Sequence, residues 1–199
     1  RVFPDDKAPD GRPVEKLFVY GNHDLEGQNY GPFAKQLYPD QAEREKHFII
    51  TDRAAAWENA FHEKYGRFYM KEVNGYQFIG SNENPWHGDQ KLVQWVKENA
   101  AKINRDLPLL YAQHSHPANT CYGPWAWSHD GGHVTKAFTG FPNLIAFSGH
   151  SHYPLNDERS IWQGAYVSIG AGSLRYPGAP MGTYFGSVEM PFHKPGRDP

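Results

Sequence analysis

Residues 144–152 read Leu144-Ile145-Ala146-Phe147-Ser148-Gly149-His150-Ser151-His152, an apolar run that ends in a glycine and two histidines. A short apolar run bounded by turn residues is typical of a buried β-strand. Gly149 permits a tight turn where the strand ends, so the histidines would lie at the edge of a sheet. The stretch therefore predicts one strand of the fold and a candidate site at its end.

The same pattern occurs at two earlier places in the chain. The apolar run 17–20 leads into Gly21-Asn22-His23-Asp24, and the run 109–113 leads into His114-Ser115-His116-Pro117. Pro117 has no N–H for ladder pairing, so the second of these strands should end there. We therefore expect three buried strands, each followed by a loop that carries His or Asn.

The segments between these strands predict helices and further strands. Asn74-Gly75 is a strong signal for a two-residue hairpin turn, and Asp89 can cap a helix with an apolar stripe from Leu92 onward. Short helices are also expected from Pro32, over 51–64 and over 134–138, and further strands over 165–169 and 185–190. Such alternation indicates a layered α/β fold with the site at the strand ends.

Composition limits the classes of function. The 199 residues suit one domain, and 20 Lys plus Arg against 22 Asp plus Glu give a formal charge of −2, which argues against a nucleic-acid binder that works by bulk charge. No apolar run approaches the roughly 20 residues of a membrane span. The single cysteine, Cys121, leaves the redox compartment open, and we expect a soluble protein with a periplasmic or secreted location as one option.

The three loops together indicate a metal site. Imidazole nitrogens and an amide oxygen are suitable ligands for zinc, iron, manganese or nickel ions. Any one of the histidines could equally be a surface group hydrated by water, because loops are polar and exposed. Three loops of the same kind at three strand ends favour the metal site.

The blocks Gly21-Asn22-His23-Asp24, His114 near a proline, and Gly149-His150-Ser151-His152 resemble, in this order, the last three blocks of the calcineurin-like metallophosphoesterase family. The likeness spans residues 17–169. It implies a layered α/β/β/α sandwich with mixed sheets, here a single domain over 1–199 that is incomplete at its N-terminus. It also implies hydrolysis of phosphomonoesters or phosphodiesters, in which two metal ions about 3.5–4 Å apart clamp the phosphate and activate water.

The resemblance implies a role for each matching ligand position. Asn22, His114 and His150 match the ligands of the second metal, and His152 matches a ligand of the first. The family places its histidine two residues before a proline, whereas His114 lies three residues before Pro117. His116 is therefore the alternative ligand.

Two further residues match non-ligand positions of the family. His23 matches the histidine that stabilises the transferring phosphoryl group or protonates the leaving oxygen, and Asp24 would orient it through a hydrogen bond. Trp125, Trp127 and His129 lie between two ligand loops. They are candidates to line a substrate pocket, with cover of the sheet edge as an equal alternative.

The sequence also departs from the family. The family's first two blocks, an Asp-x-His pair and a Gly-Asp pair, would precede Gly21, and they do not occur there; Asp5, Asp6 and Asp10 are expected to be solvated charges. The chain begins at Arg1 without a Met, and we expect it to be part of a longer protein whose earlier segment completes the domain. This chain alone should hold at most one metal and be inactive. The alternative is a noncatalytic metal-binding or interaction domain.

Overall fold

The computed structural model describes residues 7–26, 32–82, 85–123, 126, 128–153 and 155–172. The helices are α1 (Asn22–Glu26), α2 (Pro32–Leu37), α3 (Gln41–Phe48), α4 (Arg53–Phe61), α5 (Leu92–Asn99) and α6 (His133–Ala137). The strands are β1 (Phe68–Val73), β2 (Tyr76–Ser81), β3 (Leu109–Ala112), β4 (Leu144–Ser148), β5 (Ile161–Gln163) and β6 (Val167–Gly170). Single 3₁₀ turns cover Ala100–Lys102 and Glu158–Ser160.

The six strands form one mixed sheet in the order β1-β2-β3-β4-β6-β5. The four inner strands, β2, β3, β4 and β6, are parallel to one another, and the edge strands β1 and β5 pair antiparallel with β2 and β6. The predicted hairpin is confirmed: Asn74 and Gly75 join β1 to β2 with φ of 52° and 84°, the two positive values that a type I′ turn needs. The chain is therefore an α/β protein, as the sequence predicts.

Helices α5 and α6 pack together on one face of this sheet. The predicted stripe of α5 is confirmed, because Leu92 and Val96 are buried against strand residues such as Leu109 and Leu144. Asp89 bonds the Lys91 N–H at 2.9 Å just before the helix. The main apolar core of the described residues lies on this face, and its side chains pack across β3 and β4.

The other face of the sheet is only half-buried. Along β3 and β4, residues alternate between buried and half-exposed, and the half-exposed set includes Leu110, Ile145 and Phe147. Leu17 and Phe78 join Leu110 and Phe147 in lining an apolar groove of about 250 Å³ over this face. Parallel sheets are normally covered on both faces, so this apolar surface is unusual.

The prediction of a buried strand over 17–20 is wrong. The segment has no strand pairing, and Leu17 and Phe18 are each 38% exposed. Side chains bind its backbone instead: the Tyr69 hydroxyl donates to the Phe18 carbonyl, and Asn82 Oδ1 accepts from the Tyr20 N–H. An apolar run forms a strand only where a neighbouring strand offers backbone hydrogen bonds, and none of the described strands pairs with this run.

Of the other predicted helices and strands, some are confirmed, and the structure also contains elements that were not predicted. Helix α4 lies within the predicted range 51–64, and α2 begins at Pro32 as expected. Helix α3 was not predicted because its surface is mostly charged, and β5 was not predicted because it has three residues. The strand predicted over 185–190 lies outside the described residues. Of the helices described, none has the length and apolar character to cross a membrane.

Candidate metal centre

The three segments predicted to carry ligands meet at one point. Asn22 Oδ1 lies 2.7 Å from His114 Nε2, and His150 Nδ1 lies 3.1 Å from the same nitrogen. The rings of His114 and His150 are perpendicular, with centroids 4.9 Å apart. Residues 92 and 36 positions apart in sequence thus place three donor atoms within hydrogen-bond distance.

The sheet explains this meeting. Strands β3 and β4 are parallel neighbours, so the residues that follow them lie at the same edge. The Gly149 N–H donates to the His114 carbonyl at 2.9 Å, which joins the two loops. Gly21 brings the third segment close: a Cβ there would lie 2.9 Å from His114 Cε1, so only glycine fits without displacement. The backbone therefore holds all three segments around His114.

The segment from Asn22 is a helical turn, and the predicted loop is wrong. In a helix, residues three apart are neighbours and adjacent residues are not. Asp24 Oδ2 accordingly accepts from the Gly21 N–H at 2.8 Å, as in a capping box, and His23 Nδ1 lies 3.1 Å from Glu26 Oε2. The expected His23–Asp24 hydrogen bond is not formed. Glu26 takes that place, and a helical assignment of residues 22–26 would have indicated it.

The histidines at this point are neutral over the physiological pH range. Burial, and after it the positive charges that His150 and His152 would carry, lower the pKa of His114 to about 3. Burial also lowers the pKa of His150, again with His152 as the next cause. A neutral imidazole keeps a lone pair, so these side chains are in the protonation state that metal ligation requires.

His116, the alternative ligand, lies elsewhere. It is 1% exposed; its Nδ1 lies 2.7 Å from Ser148 Oγ, and its Nε2 lies 2.9 Å from Ser151 Oγ. Burial lowers its pKa to about 3. Both ring nitrogens therefore have protein partners, and the geometry favours His114 over His116 as the ligand. The two serines that hold His116 were not expected from the sequence.

His152 lies on the side of His23, with ring centroids 6.3 Å apart. His150 and His152 both have positive φ, at 66° and 58°. His23 itself is 67% exposed and open to a molecule in solution. Asn22, His114 and His150 thus form one set of contacts, and His23 and His152 lie next to each other beside this set.

The substrate-pocket candidates are located only in part. Trp125 and Trp127 lie outside the described residues. His129 is exposed, and its Nδ1 accepts from the Gly131 N–H at 3.2 Å. Its backbone forms an isolated bridge with His116, so the segment between them returns to the sheet edge. No contact joins the His129 ring to His114 or His150, which both lie in the described part.

The donor set suits one borderline metal ion. An amide oxygen and two imidazole nitrogens are ligands for zinc, manganese, iron or nickel, and such an ion accepts water in its open positions. The described ranges contain no group of three or more His, Cys, Asp or Glu side chains that could hold a metal ion. The third donor of the set, Asn22, is an amide and stands outside those four types.

Comparison of the chain with protein-family models gives no match, and comparison with curated protein sequences gives none either.

Proposed function

We propose that this chain belongs to a metal-dependent hydrolase of phosphoesters, with Asn22, His114 and His150 as the ligands of one metal ion. The observation that carries the proposal is the meeting of these three side chains from three separate segments, with donor atoms 2.7 and 3.1 Å from His114 Nε2. Their order and residue types are those of the family that the sequence resembles.

His23 is the group proposed to act on the substrate. Its exposed ring lies beside His152, outside the ligand set, and its Nδ1 faces Glu26. With Nδ1–H donating to Glu26, Nε2 faces a phosphoryl or leaving oxygen, to which the imidazolium form of the ring would donate. Asp24 would support this residue only indirectly, by bonding the Gly21 N–H at the start of α1. A metal ion bound beside it would supply positive charge for a phosphoryl oxygen.

For the fold, we propose the α/β/β/α sandwich that the resemblance implies. The half-exposed face around Leu110, Ile145 and Phe147 is the surface that a second sheet would cover. Leu17 and Phe18 are exposed and lie in a run without a strand partner, and we propose that a further strand of the same domain pairs with this run. His152 would then bind a second metal ion together with ligands from the segment that carries the further strand.

A noncatalytic metal-binding module is the second candidate. The set of Asn22, His114 and His150 contains three neutral donors and no carboxylate. Such a set can hold one ion with water in the open positions, which needs no second ion and no reaction. The two candidates differ in whether His23 contacts phosphate.

The test is a titration of the 199-residue chain with zinc or manganese, followed by inorganic phosphate. We expect one metal ion per chain, with phosphate binding that depends on the metal. His150→Ala should remove the metal. His23→Ala should keep the metal and weaken phosphate binding about tenfold or more, because a hydrogen bond to a charged group is worth about 1.5–3 kcal/mol. His47→Ala, remote on α3 and stacked on Tyr38, is the control.

The outcomes separate the candidates. Metal without phosphate binding favours the noncatalytic module. Loss of metal in His23→Ala as complete as in His150→Ala would refute the assignment of roles. Two tightly bound ions, or turnover of an aryl phosphodiester by this chain, would show that other residues supply the missing ligands, and Asp5, Asp6 and Asp10 would be the first to test.

A further inference from the structure

His116 contacts both strand ends of the candidate site. It follows β3 by four residues, and its two nitrogens reach Ser148, the last residue of β4, and Ser151, inside the next turn. His116 and Ser151 are both fully buried. A neutral imidazole has one donor and one acceptor nitrogen, and a hydroxyl can be either, so both contacts are satisfied together.

The network also assigns the proton of this imidazole. The Ser148 hydroxyl donates to the Ile169 carbonyl at 3.4 Å, so its oxygen accepts from His116 Nδ1–H. Nε2 is then the acceptor for the Ser151 hydroxyl. Each hydrogen of the three groups thus has one acceptor, and the three side chains form one ordered connection from β6 through β4 to the turn.

The turn that Ser151 occupies has an unfavourable backbone. His150 and His152, on either side of Ser151, have φ of 66° and 58°. Left-handed conformations are unfavourable for residues other than glycine, asparagine and aspartate, and they persist where the surroundings impose them. Ser151 is the residue between them, and its hydroxyl lies 2.9 Å from His116 Nε2.

We propose that His116 is a positioning residue that fixes the turn 149–152 through Ser148 and Ser151, and so sets the direction of the His150 and His152 rings. The part of the proposal that concerns metal affinity rests on the proposed function. His116 would then act through the serines and never touch the metal or the substrate. This also explains why the chain has a histidine both at 114 and at 116: one is placed as a ligand, and the other holds the ligand turn.

A merely structural histidine predicts something different. Its removal would lower stability, and each folded molecule would keep the same turn and the same metal affinity. The test therefore compares two buried serines, of which Ser151 is hydrogen-bonded to His116 and Ser168 is not. Ser151 bonds His116, whereas Ser168, equally buried, bonds Thr120 and lies 3.3 Å from Cys121 Sγ without touching His116.

The experiment uses the full chain with Ser151→Ala and with Ser168→Ala as the matched control. Hydrogen exchange after chelator treatment reports the turn: the Gly149 and Ser151 amides are both hydrogen-bonded, to His114 O and Gly149 O. We expect roughly tenfold faster exchange of these two amides in Ser151→Ala and no change in Ser168→Ala. Co²⁺ titration reports the ligands: Ser151→Ala should bind about 10–100-fold more weakly, with a changed absorption spectrum, as is typical for loss of a contact behind a ligand.

His116→Gln is the second variant, because its amide can keep one of the two serine contacts. We expect it to fall between wild type and Ser151→Ala in both measurements. Equal exchange of the two amides in all variants would overturn the proposal, whatever the metal result. Faster exchange in Ser151→Ala together with no Co²⁺ binding by wild type would support the positioning of the turn and refute the proposed function. If the two amides exchanged faster in Ser151→Ala but the variant bound Co²⁺ as tightly as wild type, the claim that the turn positions the ligand His150 would be overturned.

Discussion

Gly21→Ala tests whether backbone contact with His114 sets the candidate site. The added Cβ would lie 2.9 Å from His114 Cε1 and 3.0 Å from Nδ1, whereas ordinary contacts begin near 3.4 Å. The ring would have to move by about 0.5 Å, which is the tolerance within which a functional site must be held. His114 has little room to do so, because Nε2 contacts both Asn22 and His150.

Overpacking of this size costs about 1–3 kcal/mol of unfolding free energy. For a chain of this length, each 1 kcal/mol lowers Tm by about 2–4 °C. We expect Gly21→Ala to lose this much stability and to bind zinc about 10–100-fold more weakly, since the ligand's support is displaced. Calorimetric titration and thermal unfolding measure the two effects.

Gly149→Ala provides the matched control. Gly149 faces the same ring, but its nearest neighbour would be His114 Nδ1 at 3.6 Å, an ordinary contact. This variant should change stability by less than about 1 kcal/mol, as surface-like substitutions do. If both variants bound zinc like wild type, the ring would be free to shift, and the reasoning that Gly21 holds His114 in place would be refuted.

Two further predictions concern stability. The pKa of His114 and of His116 is near 6.5 in the unfolded chain and about 3 in the folded one. After chelator treatment, the unfolding free energy should therefore be highest above pH 6.5 and should decrease as the pH falls towards 3. The loss at pH 5 is about 2 kcal/mol per histidine, and urea unfolding at pH 7 and 5 would measure it; a pH-independent result would contradict it. Asp130 is fully buried and accepts from three N–H groups, so Asp130→Asn should cost about 1–3 kcal/mol because one donor loses its acceptor. Asp10→Asn, exposed and paired with Arg12, should cost less than about 1 kcal/mol, and equal losses in the two variants would argue against the role of Asp130.

The parts of the fold that local sequence determines were predictable. Asn74 and Gly75 tolerate positive φ, and that property alone locates the hairpin. The stripe from Leu92 follows from helical periodicity and burial on one face. The run 17–20 has the composition of a strand, yet strand formation also needs a neighbour, which depends on distant parts of the chain. The sequence alone could not supply that information.

The candidate site divides in the same way. That His114 and His150 would meet follows from topology, since loops after neighbouring parallel strands share one edge. Asn22 joins them although no strand precedes it, because Gly21 packs against the His114 ring. The pairing of His23 could not be obtained from the pattern Asn-His-Asp, because it depends on whether residues 22–26 are helical. In the helix, Glu26 lies one turn after His23 and contacts its Nδ1, whereas Asp24 accepts a hydrogen bond from the Gly21 N–H. The role of His116 likewise depends on the positions of two serines that no motif marks.

The charges around the site bear on how it would hold a cation. Asn22, His114 and His150 are neutral, so they can be buried together without a counter-ion, and a bound dication would introduce charge with nothing in the set to balance it. Of the two carboxylates on α1, Asp24 is occupied at the helix start. Glu26 Oε2 lies 3.5 Å from Asn22 Nδ2 and 3.1 Å from His23 Nδ1, so it contacts both a candidate ligand and the candidate phosphate-binding residue. Its negative charge would favour a cation near Asn22 and would also hold His23 in place, which makes Glu26 the group through which the two parts of the site are coupled.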